Sequence, residues 1–411
     1  MSLSVASPVD SFSSFDLRPE TRGALDDMGI SVPTLIQAQT IPALLQGHDV
    51  VGQAWTGSGK TLAFGVPLVE RCDAAVRDVQ ALVLAPTREL ANQVGGVLGT
   101  LAAARHLKLV LLYGGRSLAP ERQALVRGAQ IVVGTPGRIL DHLRQGNLSL
   151  KRLRLFVLDE GDAMLDQGFA PDVERILAHT PPQRQTALFS ATVPPWVMSI
   201  AARHLRNPVV FRVHAETEAP PDIHHIVYQM EISAKLDALR ILLDNRDPGA
   251  TLVFGRTKHG VAKLASRLAS LGYPVAALQG NLSQNARERV MADFRSGRLP
   301  ILLATNVAAR GLDIEEVGQV INYELPESAQ LFTHRVGRTG RMGRKGSAIT
   351  FVTPEDSRKW GQIERELGRS LPRTPWMDRG LPLAIRASGP SVPPRAPGRS
   401  PARKRRGVLW G

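Results

Sequence analysis

The sequence predicts an α/β protein of two tandem units, each a parallel sheet flanked by helices, followed by a disordered basic tail. Three observations carry that prediction. Short β-branched and leucine-rich runs alternate with amphipathic segments, the pattern of strand, crossover helix and parallel strand. The alternation occurs twice and breaks once, at residues 214–222, where Glu216, Glu218, Pro220 and Pro221 mark a linker. The length of 411 residues suits two domains at roughly 100–200 residues each.

The elements follow in order. Residues 1–14 are Ser-rich and loose until Phe12, and residues 17–28 show helical periodicity ended by Gly29. Buried strands are expected at 50–51, 81–85, 109–112, 130–133, 155–158, 186–189 and 209–213, with helices filling most gaps. After the linker the pattern restarts, with strands at 226–230, 252–254, 275–278, 301–304 and 320–322. A helix carrying apolar Val261, Leu264, Ala265, Leu268 and Leu271 stops at Gly272. The units are thus 1–213 and 223–370. From 371 to 411 the chain is rich in Pro, Arg, Gly and Ser, too poor in apolar surface to fold.

Composition bounds the function. Fifty-one basic residues face 37 acidic ones, a net charge of +14, which suggests a polyanionic partner. Nine basic residues and one acidic lie in 373–411, so +8 of the +14 belongs to the tail. That tail, densest at Arg403-Lys404-Arg405-Arg406, is expected to tether nucleic acid. The single Cys72 excludes an internal disulfide and fits a reducing compartment. No secretory leader pattern and no apolar run of roughly 20 residues is present. The expectation is a soluble, cytoplasmic protein without a membrane partner. The ten scattered His show no structural-metal spacing.

Two motifs carry chemistry on their own. Ala54-Trp55-Thr56-Gly57-Ser58-Gly59-Lys60-Thr61 fits a phosphate-binding loop, with Ala54 in place of the first Gly of the generic pattern. Its backbone N–H groups and the following helix N-terminus suit an oxyanion. Lys60 would reach the β- and γ-phosphates and Thr61 would place its hydroxyl on Mg²⁺. Asp159-Glu160-Gly161-Asp162 follows an apolar strand. In the same unit as a phosphate loop, one carboxylate holds the cation, largely through water, and the next activates the attacking water. Asp159 is assigned to Mg²⁺ and Glu160 to the water.

With these residues the chain resembles the DEAD-box ATP-dependent RNA helicases, bacterial in type, with matches in family order from Phe12 to Arg341. The resemblance implies two RecA-like domains, ATP and Mg²⁺, and RNA contacted mainly through its backbone. Thr34 and Gln37, in Pro33-Thr34-Leu35-Ile36-Gln37, and the upstream Phe12 resemble the adenine-reading motif. The Gln amide suits an adenine edge, since it both donates and accepts. Pro86, Thr87 and Arg88, then Gly114-Gly115, then Thr135, Pro136, Gly137 and Arg138 resemble RNA-backbone contacts of the first unit. Arg256, Gly280 and Thr305 resemble those of the second, and Asp313 resembles a ribose ligand. Ser190-Ala191-Thr192 resembles the segment coupling the acidic loop to RNA, with Asp162 bonded to Ser190 or Thr192. The second unit lacks a phosphate loop, and the resemblance makes Arg338 and Arg341 its arginine fingers.

Five departures stand out. Gly161 replaces an Ala and is expected to loosen coupling through Asp162. Ile30 replaces an aromatic, which is expected to lower nucleotide affinity. Trp55 replaces a polar residue and is expected to pack on a neighbouring loop. Gln279 replaces a His and Asn306 an Asp. The implied activity is RNA-stimulated ATP hydrolysis coupled to local, non-processive unwinding or ribonucleoprotein remodelling by a monomer, with ribosomal or RNA-decay assemblies as candidate settings. Rival readings are an ATP-dependent RNA clamp, a DNA-stimulated translocase and a non-catalytic scaffold.

Overall fold

The computed structural model describes residues 11–55, 57–213, 223–246, 249–279, 282–306, 317–340 and 345–376. Seven strands form the first sheet: β1 (Val50–Gln53), β2 (Ala81–Leu84), β3 (Leu109–Leu112), β4 (Ile131–Gly134), β5 (Leu155–Leu158), β6 (Gln185–Ser190) and β7 (Val209–Arg212). They pair in parallel in the order β3-β4-β2-β5-β6-β1-β7. Both faces are covered. Ala81 and Val83 join one apolar core while Leu82 and Leu84 join the other. A strand buried on both faces reads as a continuous apolar run, which is why these strands are visible in the sequence.

The second sheet has β8 (Ile223–Gln229), β9 (Ala250–Gly255), β10 (Val275–Leu278), β11 (Ile301–Thr305), β12 (Val317–Asn322), β13 (Gly346–Val352) and β14 (Arg373–Pro375). Its order, β10-β11-β9-β12-β13-β8-β14, repeats the first sheet strand for strand. All its pairings are parallel.

The repeat corrects the expected tail. β14 is the counterpart of β7 and falls in the stretch expected to be disordered from 371. It pairs with β8 through Arg373, Thr374 and Pro375. Trp376 donates its N–H to the Gln229 carbonyl at 2.8 Å and packs edge-on against Tyr228, with ring centroids 5.1 Å apart. Glu364, on the helix Ser357–Leu367, accepts from the Leu371 amide at 2.9 Å and from Arg373 at 2.5 Å. Those contacts supply the burial that composition alone denies this stretch. β13 is the other strand absent from the sequence-based expectation.

Parallel strands put every loop that follows them at one edge. Residues 54–61 follow β1, 86–88 follow β2, 135–138 follow β4, 159–162 follow β5 and 191–192 follow β6. This C-terminal edge is where open α/β sheets bind ligands.

Candidate nucleotide site and nucleic-acid interface

The phosphate loop is built as its glycines demand. Gly57 and Gly59 have φ of 93° and 91°, the left-handed region that glycine enters without steric cost. A Cβ on Gly59 would also collide with the Gln37 amide nitrogen. Lys60 opens the helix Lys60–Arg71 and is buried, its Nζ donating to the Ala54 carbonyl at 2.8 Å and the Trp55 carbonyl at 3.1 Å. Ser58 is buried and its Oγ has no hydrogen-bond partner among the described residues. Thr61 is half-buried on the first helical turn, and Thr56 lies outside the described residues.

The adenine-type motif clamps this loop. Thr34 Oγ1 donates to the Ser58 carbonyl at 2.8 Å, and Gln37 Nε2 donates to the Gly59 carbonyl at 3.0 Å. Gln37 Oε1 accepts from the Thr34 amide at 2.9 Å, closing a capping box at the start of the helix Leu35–Leu45. Gln37 is therefore buried with both amide ends engaged. The sequence-based expectation gave those ends to an adenine edge and missed the clamp. Phe12 is also buried, in the core, edge-on to Phe15 at 5.6 Å. Trp55 packs against that same core.

The acidic loop lies beside the phosphate loop. The Ala54 N–H donates to the Ser190 carbonyl at 3.0 Å, joining the end of β1 to the end of β6. Asp159 is buried, its Oδ1 accepting from the Glu160 N–H at 3.0 Å. Burial pushes its carboxyl up to about 7, with Lys60 pulling it down and Glu160 adding to the rise. Glu160 adopts a left-handed backbone with φ of 51°. A non-glycine residue there costs on the order of 1–3 kcal/mol, a strain that clusters at functional sites. Asp162 is fully engaged. Its N–H donates to Ser190 Oγ at 3.0 Å, its Oδ1 accepts from the Ala163 N–H at 2.9 Å, and its Oδ2 accepts from the N–H and Oγ1 of Thr192, both at 2.9 Å.

The second unit reaches this dyad. Gln330 Nε2 donates to Thr192 Oγ1 at 2.8 Å and lies 3.5 Å from Asp162 Oδ2. His334 Nε2 lies 3.7 Å from the same oxygen. Both belong to the helix Ala329–Val336, which leads into Arg338. Arg338 is buried, and Arg341 and Asp313 lie outside the described residues.

This donor set fits a magnesium nucleotide. The loop offers an unpartnered buried hydroxyl and an ammonium. The acidic loop offers a buried carboxylate with one hydrogen bond, which a hard cation with oxygen ligands would ionise. Sequence comparison identifies the family. The DEAD/DEAH box helicase family matches residues 34–200, and the helicase conserved C-terminal domain matches residues 234–343. The chain is 44% identical over 372 residues to the DEAD-box ATP-dependent RNA helicase CshA of Geobacillus kaustophilus, covering 90% of this chain and 80% of that protein. It is also 44% identical to the ATP-dependent RNA helicase DeaD of Mycobacterium tuberculosis, covering 90% of this chain and 65% of that one. The chain belongs to the DEAD-box ATP-dependent RNA helicases. It is thus an ATP-hydrolysing enzyme that acts on RNA.

Solved structures give the same fold. S. cerevisiae Dbp5 bound to RNA and ADP BeF3 matches with a TM-score of 0.82 at 33% identity, covering 89% of this chain and 96% of that one. A DEAD box protein from Methanococcus jannaschii matches with a TM-score of 0.52 at 37% identity, covering 89% and 99%.

In this helicase the expected RNA-facing residues divide into two kinds. Thr87 caps the helix Arg88–Ala104 through its hydroxyl, and Pro86 is buried behind it. Arg88 packs on Gly115, whose φ of 84° and lack of a Cβ leave room for the guanidinium. Thr135 and Pro136 start the helix Pro136–Arg144, the Thr135 N–H donates to the Leu112 carbonyl at 3.0 Å, and a Cβ on Gly137 would meet nothing within 4 Å. Arg138 corrects the expectation. Its Nε donates to Glu121 at 2.7 Å and its Nη2 to the Arg116 carbonyl at 2.7 Å, while His142 shares Glu121 at 2.8 Å. Its guanidinium is turned inward and braces the loop instead of presenting charge. In the second unit Arg256 is exposed, its N–H on Glu324 at 2.5 Å, and Thr305 is buried at the end of β11. Gly280 lies outside the described residues.

The Asp162 bonds to Ser190 and Thr192 follow the expectation from the sequence, but other long-range partners escape it. Glu89 and Arg287 pair across the units at 2.7 Å, and Arg116 with Glu288 at 3.2 Å. Arg335, adjacent to the expected fingers, is buried on Asn306, Asn322 and the ring of Phe254. The alternation of a heptad or strand carries no signal for such pairs.

Proposed function

We propose that ATP and RNA together draw the two units into one closed state, and that closure separates short RNA duplexes locally without processive translocation. The contact from Gln330 and His334 to Asp162 and Thr192 carries this reading, because it joins the helix that leads into Arg338 to the acidic loop. Lys60 and the 54–61 backbone would bind the phosphates. Thr61 and Asp159 would hold Mg²⁺, which when bound supplies charge neutralisation at the phosphoryl oxygens. Glu160 would orient and deprotonate the attacking water, and Arg338 with Arg341 would bind the phosphoryl oxygens from the second unit. Coupling of two ligands to one closed state is reciprocal, so RNA should tighten ATP as much as ATP tightens RNA.

The nucleic-acid surface would grip phosphates and sugar hydroxyls through Thr87, Arg88, Gly115, Thr135, Gly137, Arg256, Gly280 and Thr305, with little base preference. Such contacts predict affinity that falls steeply with salt. Among the described residues no helix is long and apolar enough to cross a membrane. We read the protein as a cytoplasmic monomer serving ribosome assembly or RNA decay. The test is steady-state ATP hydrolysis without nucleic acid, with single-stranded RNA and with matched DNA, beside Glu160→Gln. RNA-specific stimulation, reduced at least 100-fold in the variant with nucleotide binding retained, is the expected result. Equal stimulation by DNA would favour a translocase. Hydrolysis without displacement of a short RNA duplex would favour a clamp.

A further inference from the structure

A second basic feature lies at the opposite edge of the first sheet. A cavity of about 260 Å³ opens where the chain enters β5, β6 and β7. Arg71, Arg154, Arg184 and Arg206 line it together with Gly47 and Pro181, and no Asp or Glu is among its described lining residues. The helix that begins at Lys60 ends at Arg71, so about 18 Å of helix separates this cleft from the phosphate loop.

The arginines are held in place by backbone carbonyls and make no direct ion pair among the described residues. Arg154 Nη1 donates to the Arg71 carbonyl at 3.3 Å and Arg184 Nη1 to the Pro181 carbonyl at 3.1 Å. Arg206 Nη2 donates to the carbonyls of Gln183 at 2.9 Å and Arg184 at 3.1 Å. The nearby carboxylate, Asp49, is committed to the backbone N–H groups of Thr186 at 2.8 Å and Arg206 at 2.6 Å. Arg184 is 6% exposed, yet its Nε and Nη2 have no acceptor among the described residues, nor has Arg71 Nε. Stacking on Phe156 at 5.9 Å accounts for the position of the Arg184 plane but leaves those N–H groups unused. Burial depresses the Arg184 pKa and Arg206 adds to the depression against Asp49.

We propose that this cleft binds a compact polyphosphate anion, of pyrophosphate to triphosphate size, separately from the ATP site. Guanidinium forks match phosphoryl oxygens in bidentate geometry, and four of them match an anion carrying several negative charges. The lining holds no aromatic face on which a base could stack. The cavity is also too small for a nucleotide chain and lies away from the loops that face RNA.

The experiment is isothermal titration of inorganic tripolyphosphate into the full chain with its nucleotide site saturated by magnesium ADP. One further site is expected, weakened at least 10-fold in Arg154→Gln and in Arg71→Gln. Both lie toward the rim, where folding is less at risk than at Arg184, and each should leave ADP affinity and the melting temperature of the anion-free protein unchanged. Equal affinity in wild type and both variants, or no heat above the ADP-saturated baseline, overturns the proposal. So does loss of single-stranded RNA affinity in the variants without competition by tripolyphosphate, because the occupant is then a strand. Since ADP fills the loop throughout, failure here is separable from failure of the helicase reading.

Discussion

Replacing Asn306 with Asp is expected to stabilise the second unit. Arg335 is 2% exposed. Its Nε donates to Asn306 Oδ1 at 2.6 Å, and its Nη1 donates to Asn322 Oδ1 at 3.0 Å and the Glu324 carbonyl at 2.6 Å. These acceptors are neutral, and Nη2 has none among the described residues. Burial pulls the guanidinium well below the ordinary arginine range, to about 9, with Glu324 and Glu327 opposing the fall. Its partners therefore restore only part of the solvation that burial removes. A carboxylate in place of the Asn306 amide makes the 2.6 Å bond charge-assisted. Such bonds contribute about 1.5–3 kcal/mol against about 1 for neutral ones. The difference is about 0.5–2 kcal/mol, and desolvating the new carboxylate offsets part of it, leaving a gain on the order of 0.5–1 kcal/mol. At about 2–4 °C per kcal/mol for a unit of this size, the second calorimetric transition should rise by roughly 1–4 °C at pH 7.5. The ion pair lowers the folded-state pKa of the new carboxyl. The gain is therefore present above its unfolded pKa of about 4 and is lost as pH falls through the depressed value. An unchanged or lower transition at pH 7.5, with native circular dichroism, would refute the reasoning and show that Glu324 and Glu327 already neutralise Arg335.

Three further outcomes follow from particular contacts. Gln330→Ala removes the 2.8 Å bond to Thr192, about 0.5–1.5 kcal/mol, so the RNA concentration giving half-maximal ATPase should rise roughly 2- to 10-fold with basal hydrolysis unchanged; an unshifted titration would mean that the bridge is absent from the working closed state. Truncation after Trp376 should leave the second unit's melting temperature unaltered, whereas truncation after Ser370 removes β14, the Trp376–Tyr228 contact and two donors to Glu364 and should cost about 2–4 kcal/mol by calorimetry. Gly161→Ala brings a methyl 3.2 Å from Val197 Cγ2 while gaining about 0.5–1 kcal/mol of helix preference, so stability should stay within about 1 kcal/mol and RNA-stimulated turnover should shift without a change in ATP affinity; unchanged turnover would show that the Asp162 bonds set coupling by themselves.

What the sequence made legible was whatever physics writes locally. Leu155–Leu158 and Ile131–Gly134 read as strands because both of their faces are buried, which leaves uninterrupted apolar runs. Lys60 and Asp159 were legible because a phosphate loop and a strand-end carboxylate pair need fixed residue types at fixed spacing. Three residues containing a proline, Arg373–Pro375, gave no such signal. Their strand exists because β8 offers an open edge and Glu364 and Tyr228 hold the chain against it. Arg138 was legible as a motif residue but not as the inward partner of Glu121 and His142, since that pairing depends on the helix Leu118–Val126 folding back across 17 residues. Gln37 likewise showed its chemistry and hid its partner, the Gly59 carbonyl 22 residues away.

Asp162 explains how a contact this small would govern the closure proposed above. An ionised carboxylate offers about four acceptor sites. The first unit fills three of them, from Ala163 N–H and from the N–H and hydroxyl of Thr192. Gln330, at 3.5 Å, approaches the last, and it bonds the Thr192 hydroxyl that already serves the same oxygen. The charge is therefore solvated by its own unit whether or not the second unit is present. Opening the cleft forfeits the neutral hydrogen bond from Gln330 and the 3.7 Å approach of the His334 ring but leaves the Asp162 charge solvated, a difference on the order of 1 kcal/mol rather than the several that an abandoned buried charge would cost. The exposed pair Arg116–Glu288 adds little more, and Glu89–Arg287 is the stronger tie. An interface balanced in this way can be biased by ATP and RNA, whose differential affinity must exceed only the small gap between the two states. Had Asp162 drawn its main partner from the second unit, product release would have had to break a buried ion pair in every cycle.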